Sequence, residues 1–239
     1  LYYQPKIDMR NGDILGMEAL LRWIHPEKGL IPPGDFLPHI EHSSLIIDIG
    51  EWVIETALQQ ALQWQAHGKG WCISVNIAAR HIQMPDFIEQ LKATQQRYPD
   101  MPAHLLEIEI LESVALNDVE QTRHLILEVQ QLGIDFSLDD FGTGYSSLKY
   151  LKRLPVNTLK IDQTFVRDIL EDKDDRALVN AVIGLASAFN RKVIAEGVET
   201  WEHAELLLQM GCHLGQGYGI ARPMPADQVL DWAEHYRLS

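Results

Sequence analysis

Asp139 and Asp140 stand side by side in SLDDFGTGYSSL, residues 137–148, and a glycine-rich stretch follows them at once. Adjacent carboxylates repel, and in a partly buried cleft one of them would keep its proton unless a positive charge stood nearby. Similar residues recur along the chain, each at the end of a short apolar run: Glu18 after ILGM, Asn76 in ISVN, Glu109 in LEIE, Lys160 in TLK, Glu196 in VIAE and Gln216 in HLGQ. Any one of these is ordinarily a solvated loop residue. Together, flanked by Ile73, Val75, Ile77, Ile108, Ile110 and Ile194, they would crowd several carboxylates, at several kcal/mol each if left unpaired. Oxygen donors without Cys or His suit hard cations such as Mg²⁺ or Mn²⁺. Two such ions about 3.5–4 Å apart clamp a phosphorus centre for in-line attack. Ca²⁺ would bind the same oxygens in looser geometry and is expected to inhibit. The FGTGYSS turn would let backbone approach a ligand closely, although a GxG turn alone is as readily simple turn chemistry.

Something must bring these residues together. LYYQPKIDM and DILGMEALLRW are strand-like runs joined at Asn11-Gly12, a hairpin signal because both residues tolerate positive φ. HPEKGLIPPGDF, rich in Pro and Gly, reads as a loop, and a helix follows from about Leu45 to Ala66, with Ile49, Trp52, Val53, Ala57, Leu58, Ala61 and Leu62 on one stripe. Beyond it strands at 71–79, 105–111, 135–141, 158–162, 192–198 and 212–218 alternate with helices, including a short one from Ser146. Alternation of this kind implies a parallel sheet, and eight strands in 239 residues fit a closed (β/α)₈ barrel of the TIM type with one antiparallel strand from the N-terminal hairpin. An open doubly wound sheet is the alternative. In a barrel the polar residues would converge at the C-terminal ends of the strands, on one face.

Composition narrows the partners. A formal net charge of −14 is unsuited to duplex nucleic acid, which needs a basic surface, but leaves room for a small anion at a site where cations concentrate. Two cysteines, Cys72 and Cys212, without a CxxC pair point away from a thiolate metal site and toward a reducing, cytoplasmic setting. No apolar run is long enough to span a membrane within this segment. His25, His39, His42 and His81 lack metal-ligand spacing and are expected to be exposed or satisfied. The abrupt start inside an apolar segment suggests one domain, residues 1–239, of a longer multidomain protein, which itself could be membrane-anchored.

EALLRW (18–23), SVNIAAR (74–80), DDFGTGYSSLKYLKRLPVNTLKID (139–162), AEGVET (195–200) and GQGYGIARPMP (215–225) resemble, in order, the motifs of EAL-domain cyclic di-GMP phosphodiesterases. The resemblance implies hydrolysis of cyclic di-GMP to linear 5′-pGpG with two Mg²⁺ or Mn²⁺ ions, in bacterial second-messenger turnover. It implies Glu18, Asn76, Glu109, Asp139 and Asp140 as metal ligands, Asn76 and Asp139 also facing substrate. Glu196 would complete the second ion's shell or act as base. Lys160 would hold the attacking water or a phosphate oxygen, and Gln216 would orient the water. Arg22 and Gln4 would contact substrate, and Glu199 would support from behind the ligands, pairing with Lys160. A homodimer and neighbouring regulatory or sensory domains are also implied. Leu111, Gln163 and Asn157 depart from the usual motif residues without touching an implied ligand. Two further readings stay open: a non-catalytic cyclic di-GMP receptor, against which the retained acids weigh, and a two-metal hydrolase of another phosphodiester.

Overall fold

The computed structural model describes residues 1–143 and 148–237. Eight strands close a barrel. They are β1 (Tyr2–Asp8) and β2 (Asp13–Leu20); then, beyond a small hairpin of β3 (Trp23–His25) and β4 (Gly29–Ile31), β5 (Cys72–Asn76), β6 (Leu106–Leu111), β7 (Asp135–Phe141), β8 (Thr158–Ile161), β9 (Lys192–Ala195) and β10 (Leu214–Gly215). β1 runs antiparallel to both neighbours, β2 and β10, and every other barrel pair is parallel. β11 (Met224–Pro225) pairs with Tyr2 and Tyr3 as an extra strand outside the barrel. The expected barrel with one antiparallel strand is therefore the fold, and the open sheet is not.

Alternation along the strands separates two interiors. In β6, Leu106, Ile108 and Ile110 face outward to the helices while Glu107 and Glu109 face inward, yet all five are buried because both faces are covered. The outward residues, with Ile73, Val75, Leu138, Leu159 and Ile161, pack under helices Leu45–Ala66, Val119–Gln131, Lys173–Ala188 and Trp201–Met210. Each such side chain contributes about 1.5–3 kcal/mol by burial. The helix Leu45–Ala66 has its predicted limits and buries Ile46, Gly50, Val53, Ile54, Ala57, Leu58, Ala61 and Trp64. Trp52 lies one residue off that stripe and is 49% exposed, contrary to expectation.

Other differences are local. The β1–β2 connection is a four-residue loop, Met9–Gly12, in which Gly12 adopts positive φ and Asn11 does not. The loop expected from His25 contains the β3–β4 hairpin, tightened by His25 Nδ1 accepting the amides of Glu27 and Lys28. β9 and β10 are shorter than predicted, so Glu196 and Gln216 lie just past their strand ends. His81 is buried, with Nδ1 lacking a hydrogen-bond partner among the described residues, because its ring packs against Phe87 and over the helix at Gly50. Gly144 to Ser147, where the glycine-rich turn continues and a helix was expected to begin, lie outside the described residues; a helix is described at Leu148–Leu151. Among the described residues no helix is long and apolar enough to cross a membrane.

Candidate metal centre

The barrel register sets the acids side by side. Gln4 of β1 is opposite Glu18 of β2, Asn76 of β5 beside Glu109 of β6, and Leu111 of β6 beside Asp139 of β7. Because β1 is antiparallel, Gln4 near its start reaches the same mouth as the others near their strand ends. Lys160 of β8 stands among them, wholly buried. Its Nζ lies 2.6 Å from Glu109 Oε2, 2.7 Å from Glu196 Oε1, 3.1 Å from Asp139 Oδ1 and 3.5 Å from Glu18 Oε2. These contacts answer the demand for a positive charge beside the paired aspartates.

Consecutive strand residues should point to opposite faces, yet Asp139 and Asp140 serve one site. The pairing of β7 with β8 shifts register between Leu138 and Phe141, and Asp140 takes φ 54°. This bulge turns the second carboxylate back toward the mouth. Aspartate tolerates the left-handed conformation better than most residues. Asp140 N–H donates to Asp139 Oδ1 at 3.0 Å, and two residues on Gly142 N–H donates to Glu112 Oε2 at 2.9 Å.

Burial and crowding control ionisation. Desolvation pushes the Glu18, Asp139 and Glu196 carboxyls upward, Glu196 well above its usual range, with neighbouring acids adding to the rise and Lys160 opposing it. Asp140 is pushed to about 7 by burial, then by the Asp139 charge and by Asp162. Burial acts on Glu109 in the same sense, but Lys160 and Lys6 together outweigh it and hold this carboxyl low. Burial opposes the charge on Lys160, while Glu109, Glu18, Glu196 and Asp139 raise its pKa well above the ordinary lysine value.

The donor set fits divalent cations. Carboxylate oxygens of Glu18, Glu109 and Asp139 lie within 4.8 Å of one another, as do those of Asp139, Asp140 and Glu196, so Asp139 belongs to both groups. Oxygen-only triads sharing one carboxylate suit a pair of hard ions. Asn76 adjoins the first triad, its Nδ2 donating to Glu18 Oε1 at 2.7 Å. Gln216 Nε2 donates to Glu18 Oε2 at 2.6 Å and to Gln4 Oε1 at 2.9 Å, and Gln4 Nε2 donates to Ala221 O. Gln216 Oε1 is buried with no hydrogen-bond partner among the described residues. Arg22 is half-buried near Glu18, its guanidinium 5.7 Å from the Tyr2 ring centre.

Glu199 is placed differently from expectation. It is exposed beyond Val198, and among the described residues the acids paired with Lys160 are Glu18, Glu109, Asp139 and Glu196. Two buried residues went unnoticed in the sequence. Glu112 holds the loop after Asp140, and Lys6 lies below Glu109 inside the barrel. A period-two count from Gln4 would have placed Lys6 on the inner face; nothing local distinguished Glu112. A cavity of about 660 Å³ opens beside Asn76 and Glu109, lined mainly by apolar residues such as Leu37, Ile46, Ile49 and Val53 and edged by Arg80 and His42.

The EAL domain family matches residues 1–223 of the chain. The Pseudomonas aeruginosa protein MucR, described as a bifunctional diguanylate cyclase/cyclic di-GMP phosphodiesterase, is 44% identical over 231 residues, which cover 96% of this chain and 34% of MucR. The Escherichia coli cyclic di-GMP phosphodiesterase PdeR is 40% identical, covering 99% of this chain and 35% of PdeR. A solved structure of the MucR phosphodiesterase in complex with c-di-GMP superposes with a TM-score of 0.92 at 43% identity, covering 96% of this chain and 93% of that one. The chain thus spans about a third of the length of these curated relatives.

Proposed function

The chain belongs to the EAL domain family, and from that premise we propose that it is a metal-dependent phosphodiesterase that hydrolyses cyclic di-GMP to linear 5′-pGpG. The observation that carries this reading is the pair of carboxylate triads sharing Asp139, with Lys160 between them. Glu18, Asn76, Glu109, Asp139, Asp140 and Glu196 would hold two cations, Mg²⁺ or Mn²⁺, with Ca²⁺ binding unproductively. Bound there, the cations would neutralise the scissile phosphate and make a water acidic enough to deprotonate near neutral pH.

The chain's own residues supply the rest. Lys160 and Arg22 place fixed positive charge where the phosphate gains negative charge. Gln216 Oε1, the unpartnered acceptor, is available to orient the attacking water, while Gln216 Nε2 locks Gln4 and Glu18 in position. Glu196, 2.7 Å from Lys160 at the mouth of the barrel, would complete the second ion's shell or accept the water's proton. Gln4, Asn76 and Asp139 would face the substrate, and the cavity beside Asn76 has the size and apolar lining to take a nucleobase. Glu199 would act from outside this set. The greater length of the relatives supports reading residues 1–239 as one catalytic module accompanied by regulatory domains, in a cytoplasmic setting. The homodimer belongs to the same reading and rests on the family resemblance.

The test is incubation of the purified protein with cyclic di-GMP and Mg²⁺ or Mn²⁺, with chromatography of the products. pGpG should appear with either ion, disappear with chelator or Ca²⁺, and fall about 10²–10³-fold in Glu18→Ala. Tight binding of cyclic di-GMP without turnover in any metal would overturn the reading in favour of a receptor.

A further inference from the structure

TIM barrels ordinarily fill their interiors with bulky branched side chains. Beneath this metal centre the filling is polar and mostly small: Ser74, Ser137 and Thr158, all buried, with Gly16 opposite Lys6 in the β1–β2 register. Lys6 is the long cationic side chain enclosed in this layer, 3% exposed. Its ammonium donates to Ser74 Oγ and lies 3.6 Å from Glu109 Oε1. Glu107, two residues before Glu109 on the same face of β6, is the other acid whose charge acts on Lys6. Lys6 is the cation that faces Glu109 Oε1 from below, with the Ser74 hydroxyl acting on the same carboxylate. Glu109 Oε2 is taken by Lys160 from the side, at 2.6 Å. Among the described residues, Glu109 is thus the acid of the site gripped by both lysines, one on each oxygen.

We propose that Lys6 is a positioning residue of the metal centre, fixing the Glu109 carboxylate from inside the barrel so that the Glu18–Glu109–Asp139 triad is set before a cation arrives. The proposal rests on the two-cation reading of the site. A group that orients a metal ligand typically changes metal affinity by about 10–100-fold when removed. A second role is separable: Lys6 also neutralises Glu107, and loss of that pairing alone would weaken the fold without altering the site.

The test compares Mn²⁺ binding by calorimetry, and thermal unfolding, in wild type, Lys6→Met and Lys6→Met/Glu107→Gln. The double variant removes one positive and one negative charge from the same layer, so the field at the triad changes little while the contact to Glu109 is lost. Lys6→Met should bind Mn²⁺ at least about tenfold more weakly and melt lower. The double variant should regain melting temperature but not Mn²⁺ affinity. Should Lys6→Met fail to fold, the double variant alone decides. Wild-type Mn²⁺ affinity in the double variant would overturn the proposal and leave the functional reading intact. A wild-type protein that binds no Mn²⁺ would overturn both.

Discussion

At the scale of single residues, Asp140 shows how environment sets chemistry. Its folded pKa is about 7, against an ordinary value of 3.8. Between those values the folded protein holds a proton that the unfolded chain has released, so stability falls as pH rises. In chelator, wild type should therefore lose stability relative to Asp140→Asn as pH rises from about 4.5 to about 7, with the gap constant above that. Melting curves of both proteins check this, and parallel pH profiles would contradict it. The left-handed backbone at φ 54° supplies a second expectation. Asp140→Gly should be more stable than Asp140→Ala by about 1 kcal/mol, measured by urea denaturation, because only glycine enters that region without a Cβ penalty. The identities of the acids were legible because chemistry depends on residue type. That Asp139 and Asp140 share one face was not, since strand periodicity alone sends them apart; a bulge is a property of the pairing between two strands.

At the scale of elements, LEIEIL was legible as a strand, but its alternation was ambiguous. Such a pattern normally buries the apolar face and leaves the other to water. The barrel expected from the strand count already placed Glu109 at the mouth; that Glu107 shares its inner face and is buried beneath it is shown by the closed sheet. Short elements were missed for a related reason: β11 has two residues, and tertiary pairing with Tyr2 and Tyr3 defines it. The loop after β10 depends on a close approach. A Cβ on Gly217 would collide with the backbone N and O of Val198, and Val198 N–H donates to Gln216 O at 3.0 Å. Gly217→Ala should thus destabilise the protein by about 1–3 kcal/mol and displace Gln216 from Glu18. Chemical denaturation and turnover assays should show both losses together; an unaltered kcat in a destabilised variant would show that Gln216 is placed independently of this contact.

At the scale of the whole molecule, a chain of net charge −14 concentrates Glu18, Glu109, Asp139 and Glu196 around Lys160, with Asp140 beside Asp139 and Glu196. Cations that bind only the folded state should stabilise it, by about 2.7 kcal/mol at a hundred times Kd. Melting temperature should rise with Mg²⁺ or Mn²⁺ concentration and fall back with chelator. A Glu109→Gln variant should lose most of that response. Na⁺ at equal ionic strength should not reproduce it.

The closure between β1 and β10 also bears on synthesis. Ile7 pairs with Gly215, and Gln4 hydrogen-bonds Gln216 across 212 positions of sequence. A ribosome emits β1 first and must hold it without its second neighbour until almost the whole domain has emerged. Contacts so distant in sequence form late and slow the final step. The nascent chain therefore has no closed barrel mouth at any intermediate length, and its first strand keeps one open edge for most of its translation. The acidic cluster around Lys160 is complete only when the last stave arrives.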